Sequence, residues 1–111
     1  MLKRNYLVLI VAVFLLFCIV PSVVSSESID KLRAKAEQGD AEAQFDLGTI
    51  YLKGEGVPQD YAEAFKWFRK AADQGLAGSL TTLAIMYEEG NGVEKDPEEA
   101  KRLYAKAGFD L

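Results

Sequence analysis

The sequence predicts an all-α fold, an α/α solenoid built from antiparallel helix pairs. First, the chain repeats itself: residues 36–71 align with residues 72–107 without a gap, and 14 of the 36 positions are identical. Second, apolar residues within each copy recur at intervals of three and four, which places them on one face of a helix. Third, glycine and aspartate stand at matching places, where helices are expected to end and begin. Because a single unit of this kind cannot bury its own apolar face, the repeat indicates stacked units.

The first helix of each copy, helix A, is predicted over residues 41–53 and residues 77–89. Its buried face includes a leucine and a tyrosine four residues apart. Glycine ends the helix because it tolerates the positive φ of a helix C-terminus, and a second glycine two residues later lets the chain reverse tightly. These residues are Leu47, Tyr51, Gly54 and Gly56 in the first copy, and Leu83, Tyr87, Gly90 and Gly92 in the second.

The second helix, helix B, is predicted to begin after Asp60 in the first copy and after Asp96 in the second. An aspartate there can accept a hydrogen bond from an unpaired amide of the first turn, and losing such a cap costs about 1 kcal/mol. Glu63 and Glu99 are expected to reach back in the manner of a capping box. Small residues in the buried stripe let the helices approach closely, and larger ones fill the remaining volume. The stripe is Ala64, Trp67, Phe68 and Ala71 in the first copy, and Ala100, Leu103, Tyr104 and Ala107 in the second. Gly48 is the small residue of helix A. Successive B helices are expected to end at Gly39, Gly75 and Gly108.

A half-unit precedes the first complete copy. Leu32 and Ala36 fall 36 residues before Phe68 and Ala72, so an isolated B-type helix is expected to cap the first helix pair. The exported chain would then contain five helices. The predicted organisation is a signal peptide (residues 1–26), a capping half-repeat (residues 27–39), a first repeat (residues 40–75) and a second repeat with a C-terminal tail (residues 76–111).

The N-terminal segment has the order of an export signal. Lys3 and Arg4 precede an apolar run over residues 6–20, and small and polar residues follow, with cleavage expected near Ser25 or Ser26. The apolar run is shorter than the roughly 20 residues of a transmembrane helix, but its continuation leaves an uncleaved anchor as the alternative. Basic residues stay on the cytoplasmic side, so the rest of the chain is exported in both cases. We expect a periplasmic or secreted protein, with an inner-membrane-anchored form as the minority alternative.

Composition excludes several classes of function. Without residues 1–26 the chain has 11 Lys and Arg against 17 Asp and Glu, a formal charge of about −6, which argues against nucleic acid as a partner. The chain has no histidine, and its single cysteine, Cys18, lies in the signal segment. The exported part therefore lacks the commonest general base, a nucleophilic thiol and the soft metal ligands. We expect no cofactor and no metal.

Two pairs of adjacent carboxylates are the remaining candidates for catalysis, as in a glycan-active enzyme: Glu88 with Glu89, and Glu98 with Glu99. Consecutive residues on a helix point about 100° apart, so the members of each pair diverge and are expected to lie on solvated helix faces. The Gly-x-Gly loops lack the preceding strand and the Lys-Ser/Thr of a phosphate-binding loop. We therefore expect no enzymatic activity.

Residues 43–72 contain the elements Leu-Gly-x-x-Tyr, Gly-x-Gly-Val and Asp-x-x-Glu-Ala, and they closely resemble the Sel1-like repeat, a relative of the tetratricopeptide repeat. The resemblance covers residues 36–108. The second copy departs from the family pattern at Ala84 and Leu103, where glycine and an aromatic residue are usual. The resemblance implies a right-handed solenoid whose A helices form a concave face for a protein or peptide ligand, and it implies no enzymatic activity. The positions that it places on this face are Glu42, Phe45, Thr49, Leu52 and Lys53 in the first copy, and Thr81, Ile85, Glu88 and Glu89 in the second.

The residues leave two alternatives open. Phe45 and Leu52 either pack between neighbouring helices or belong to an exposed contact surface. Phe109 and Leu111 either fold back on the last helix pair or dock onto another protein, including a second copy of this chain. The leading hypothesis is an exported adaptor that binds a protein or peptide through its concave face. The alternative is a small assembly or structural module that acts through its C-terminal end or by self-association.

Overall fold

The structure, a computed structural model, describes residues 28–109, and this part of the chain is all-helical. The predicted signal peptide (residues 1–26) and Leu111 lie outside the described residues. Both A helices have the bounds that the sequence predicts. The helices are α1 (residues 28–37), α2 (Ala41–Lys53), α3 (Tyr61–Asp73), α4 (Ala77–Glu89) and α5 (Pro97–Lys106).

Glycine ends the A helices as predicted. Gly54 and Gly90 have φ of 71° and 74°, and their N–H groups donate to the carbonyls of Ile50 and Met86 at 2.8 Å. A residue with a Cβ is strained at this φ, so glycine is needed at both places. The chain therefore reverses within a few residues and brings each B helix back against its own A helix.

The aspartate caps of the B helices are also confirmed. The carboxylates of Asp60 and Asp96 accept from the backbone N–H groups of Glu63 and Glu99, both at 3.1 Å. The capping-box prediction is wrong, however, because the N–H of each aspartate already donates to a carbonyl of the preceding A helix, that of Asp60 to Tyr51 at 3.0 Å. The glutamates turn outward instead, and each forms an ion pair with a basic residue three positions later.

The core consists of two clusters, and the larger one extends through both helix pairs because α3 packs against α2 and against α4. Leu47, Phe68 and Leu83 are among the most deeply buried side chains. Phe68 points from α3 toward Gly48 of α2, where an added Cβ would come within 2.9 Å of its ring. The glycine at this position therefore serves close packing of the helices. The second unit has Ala84 there, opposite the less buried Tyr104.

Helix α1 is held against the first pair by packing and by a buried amide. Ala36 packs with Ala43, Leu47 and Trp67 in a small apolar cluster. Gln44 is also buried, and its amide nitrogen donates to the Ala36 carbonyl at 3.0 Å. The oxygen of the same amide accepts from the side chain of Gln74, at the end of α3, at 2.9 Å. One side chain thus links three helices, which gives α1 a fixed place at the start of the stack.

Candidate functional site

The two A helices share an outward stripe that the core does not use. Its positions recur at spacings of four, three and four along each helix, which is one helix face. None of these side chains is buried. We call this stripe the A face, and it consists of Glu42, Asp46, Thr49 and Lys53 on α2 and of Gly78, Thr82, Ile85 and Glu89 on α4.

Ile85 is the apolar exception on this otherwise polar face. Its side chain is 41% exposed, although it stands in the middle of a helix whose neighbouring residues are buried. The threonines on either side bind their own helix, as Thr49 donates to the Phe45 carbonyl at 3.0 Å and Thr82 to the Gly78 carbonyl at 2.8 Å. Their hydroxyl donors are therefore occupied within their own helices.

Phe45 and Leu52 do not lie on this stripe. Both are half-buried against the larger core cluster, and the ring of Phe45 meets that of Phe68 edge to face at 5.6 Å. Phe45 also lies beside Gly78, where an added Cβ would be 3.5 Å from the ring. These contacts favour the account in which Phe45 and Leu52 pack between the two units.

The equivalent positions in the second unit are Thr81 and Glu88. They share the register of Phe45 and Leu52, but within residues 28–109 there is no third A helix for them to pack against. Glu88 accepts a hydrogen bond from the hydroxyl of Tyr104 at 2.9 Å. The nine residues placed on the binding face by family resemblance thus separate into five on the A face and four on the sides of the A helices.

Three residues of the A face, Asp46, Gly78 and Thr82, were not selected from the sequence. Asp46 is exposed and lies one turn after Glu42 and one turn before Thr49. The spacing of four, three and four residues was available in the sequence and could have identified all three. The selection failed because it included Phe45 and Leu52, whose orientation depends on the neighbouring unit.

Charge is distributed unevenly between the two layers of helices. The A helices α2 and α4 carry four carboxylates and one lysine. The B helices α3 and α5 carry six basic and four acidic residues. Within residues 28–109 the side-chain ion pairs lie on the B helices, as Lys66–Glu63, Arg69–Asp73 and Arg102–Glu99. The carboxylates of the A layer therefore stay uncompensated by this part of the chain.

The strongest of these pairs depresses the pKa of an acid. The guanidinium of Arg102 donates to Glu99, with a distance of 2.9 Å from Nε to Oε2. This hydrogen bond lowers the pKa of Glu99 below its usual range. The carboxylate of Glu99 consequently favours its charged form and is bound to the guanidinium of Arg102 on the same helix. It does not converge with Glu98 on any common point.

The N-terminal end of the stack is polar. Lys31 and Lys35 occupy the positions that Trp67 and Ala71 hold 36 residues later, and both lysines are exposed where the later pair is buried. With Ser28 and Leu32 they line a hollow of about 270 Å³ on α1. A helix packed there would cover two ammonium groups, so this surface differs from the apolar junction between the two repeats.

The C-terminal end is altered in a similar way. Phe65 of α3 meets the ring of Tyr87 edge to face at 5.6 Å, and Arg69 donates to the Tyr87 hydroxyl at 3.5 Å. Helix α5 has Lys101 and Ala105 at these two positions. It therefore lacks the side chains with which α3 holds the following A helix.

Tyr104 and Phe109 complete this end. Phe109 is 52% exposed, but its ring meets that of Tyr104 edge to face at 6.3 Å and its N–H donates to the Tyr104 carbonyl at 3.0 Å. Burial, followed by the hydrogen bond to Glu88, raises the pKa of Tyr104. Phe109 thus folds back on α5 in the described structure while leaving half of its ring accessible. Leu111, the other residue proposed for end docking, lies outside the described residues.

Comparison with known proteins identifies the family. The family model described as Sel1 repeat matches residues 41–76 and residues 79–108, which together are more than half of the chain. The chain belongs to the Sel1 repeat family. Repeats of this family are in general protein-interaction scaffolds without catalytic activity of their own.

Three relatives place the chain more closely. It is 47% identical over 43 residues to the secretory immunoglobulin A-binding protein EsiB of Escherichia coli O6:H1, which is 39% of this chain and 9% of that protein. A protective antigen of uropathogenic Escherichia coli strains with an SLR fold has a TM-score of 0.69 and 47% identity over 70% of this chain and 17% of its own. The Sel1 repeat protein of Oxalobacter formigenes has a TM-score of 0.70 and 39% identity over 71% of this chain and 60% of its own.

A fourth similarity concerns the fold alone. Cysteine-rich protein B of Helicobacter pylori has a TM-score of 0.72 at 23% identity, over 75% of this chain and 62% of its own. This chain therefore spans less than two thirds of each of these relatives. Within residues 28–109, no helix is long and apolar enough to cross a membrane, and no group of three or more acidic, histidine or cysteine side chains is placed to hold a metal ion.

Proposed function

We propose that this protein is an exported, non-catalytic adaptor that holds a segment of a protein partner on its A face. The observation that carries the proposal is the exposure of Ile85, 41%, in the middle of a stripe on α2 and α4 that takes no part in the core. An apolar centre surrounded by a polar rim is the usual anatomy of a protein–protein interface.

The arrangement of the carboxylates supports a non-catalytic role. Glu88 accepts from Tyr104 at 2.9 Å, whereas Glu89 accepts from the side chain of Asn91 at 2.7 Å. The two neighbours thus have different partners and do not act on one atom. The relative EsiB is named for binding another protein, secretory immunoglobulin A, which agrees with a binding role for the fold.

Export is proposed from the N-terminal sequence. The N-terminal segment has the composition of a secretory signal or a signal anchor. It consists of Lys3 and Arg4, the apolar run that follows them and the serines near residue 26. Residues 40–75 and residues 76–111 are proposed as the two repeats that form the exported module. A periplasmic or secreted location, or an inner-membrane anchor, separates the A face from cytoplasmic partners.

Site-specific photocrosslinking in producing cells tests the proposed binding face. A photoreactive amino acid is placed at Thr49 or Ile85 on the A face, and at Lys66 or Lys101 on the B helices as the control. We expect adducts with one or a few proteins from the two A-face positions. Equal adducts from all four positions, or adducts from the B-helix positions alone, would show that the A face is not the binding surface.

A second function is supported by the half-exposed ring of Phe109, which lies at the end of the stack. In this proposal the C-terminal residues, Phe109 and Leu111, dock onto a partner or onto a second copy of the chain. A chain that ends at Gly108 should then lose a partner or change its mass in sedimentation while keeping its helical circular dichroism. Unchanged mass and unchanged partners would rule out the C-terminal residues as the docking element.

A further inference from the structure

The partner that the A face fits is a cationic extended segment with one apolar side chain, and we infer this from the charges and the exposed isoleucine of the face. The inference rests on the proposed function and specifies the chemistry of the partner. Glu42, Asp46 and Glu89 are exposed on the A face, and Lys53 is its single basic residue. The face therefore presents a net negative charge in a protein whose B helices are net positive.

The ion pairs strengthen this argument. In residues 28–109, the side-chain ion pairs use acids of α3 and α5, and none uses an acid of the A face. Three of the four acids on α3 and α5 are paired within their own helix, whereas those of the A face remain available to a partner. Charge complementarity of this kind directs association and selects among partners more than it adds affinity.

Ile85 is the reason for the apolar side chain in the proposed partner segment. It lies three residues after Thr82 and four before Glu89, so an apolar side chain packed on Ile85 is within about one helical turn of a carboxylate. A partner with a leucine or similar side chain between basic residues satisfies both features at once. A uniformly polar basic segment would leave Ile85 in contact with water.

The width of the face limits the length of the segment. Two helices of about 10 Å diameter, which meet where Phe45 of α2 lies against Gly78 of α4, offer a strip of roughly 20 Å. An extended chain rises about 3.3 Å per residue, so roughly six residues cross the strip. This length suits a short linear segment of a partner rather than a folded domain.

Fluorescence anisotropy with synthetic peptides tests the inference. The full chain, in a non-ionic detergent, is titrated against a labelled peptide with four lysines around a central leucine. Two matched peptides carry glutamates around the leucine, or lysines around a serine. We expect the lysine-leucine peptide to bind about tenfold tighter than either, and to weaken severalfold as salt rises from about 50 to about 500 mM.

Variants locate the binding. Asp46→Asn with Glu89→Gln removes two charges from the A face, and the amide of the new glutamine can still accept from Asn91. Glu94→Gln with Glu98→Gln removes two exposed charges elsewhere and is the matched control. We expect the first pair of substitutions to lower the affinity for the lysine-leucine peptide about fivefold. The second pair should lower it by less than about twofold.

Three results would overturn the inference: preference for the glutamate peptide, equal affinity for the serine peptide, or no binding of the lysine-leucine peptide at low millimolar concentration. An equal loss in both variant pairs would also overturn it, because the effect would then come from net charge. If photocrosslinks still map to Thr49 and Ile85, the binding function stands and only the chemistry assigned to the partner is wrong.

Discussion

Arg33 donates a hydrogen bond to the hydroxyl of Tyr51 at 2.8 Å, and its guanidinium lies 5.9 Å from the centre of the same ring. The hydrogen bond raises the pKa of Arg33, which stays charged. One repeat later, Arg69 faces Tyr87 in the same register with a distance of 3.5 Å. Each pair joins a B helix to the A helix of the following unit, so the contact is a repeated element of the solenoid.

A double-mutant cycle should measure a larger coupling for the first pair than for the second. We expect Arg33→Ala and Tyr51→Phe to be coupled by about 1 kcal/mol in the free energy of unfolding, because the bond is short and partly shielded. Arg69→Ala and Tyr87→Phe should be coupled by less than about 0.5 kcal/mol, since their hydrogen bond is long and exposed. Urea unfolding of the six variants and the parent gives both values, and equal coupling would contradict the difference in geometry.

Replacing Gly48 should destabilise the fold although alanine is the better helix former. The new Cβ would meet the buried ring of Phe68 at 2.9 Å, and overpacking of this kind costs about 1–3 kcal/mol. Gly78→Ala is the matched control, because its Cβ finds ordinary contact distances and should stabilise by about 0.5–1 kcal/mol. Opposite shifts in the urea midpoint are expected. If both variants are stabilised, the ring of Phe68 can move aside.

The aspartate caps should contribute equally in the two repeats, since the distance from carboxylate to amide is 3.1 Å in each. Asp60→Ala and Asp96→Ala are each expected to reduce the free energy of unfolding by about 1 kcal/mol. Asn retains an acceptor oxygen, so Asp60→Asn and Asp96→Asn should recover most of the loss. Thermal unfolding followed by circular dichroism checks this. A similar loss with asparagine would show that charge near the helix start, and not the hydrogen bond, is responsible.

Tyr104 should make the protein sensitive to alkaline pH. Burial and the bond to Glu88 raise the pKa of Tyr104 in the folded state above that of the unfolded chain, which is about 10. A raised pKa gives stability that is fully present below the unfolded pKa and is lost as pH rises through the folded pKa. Tyr104→Phe should therefore lose less stability than the parent between about pH 9 and pH 11. Parallel loss in both proteins would contradict this origin, and Glu88→Gln should give an intermediate result.

The sequence was sufficient for the helices because glycine and aspartate mark their ends. Gly54 and Gly90 adopt the positive φ that ends the A helices. The carboxylates of Asp60 and Asp96 accept hydrogen bonds from N–H groups in the first turn of the B helices, so the boundaries follow from local chemistry. Asp40 caps α2 in the same way, with its carboxylate 3.1 Å from the N–H of Ala43, and was missed although its residue type signalled it.

The candidate site was less predictable because side-chain direction depends on neighbours far away in sequence. Phe45 is packed by Phe68 and by the start of α4, contacts that helical periodicity within α2 does not contain. Glu63 illustrates the same limit at a helix start. Its expected partner, the N–H of Asp60, is taken by the carbonyl of Tyr51 on the preceding helix.

The replacement of Phe65 and Arg69 by Lys101 and Ala105 also bears on how this protein could become longer. A unit joined after Gly108 would pack on α5, which lacks the aromatic ring and the guanidinium that contact Tyr87 in the junction between the two repeats. A unit inserted between Gly75 and Leu76 would pack on the Phe65 and Arg69 of α3. If it carried the same two residues, it would in turn hold Tyr87 of α4. Gene duplication, or a designer who wants a wider binding strip, would therefore lengthen this array from its middle.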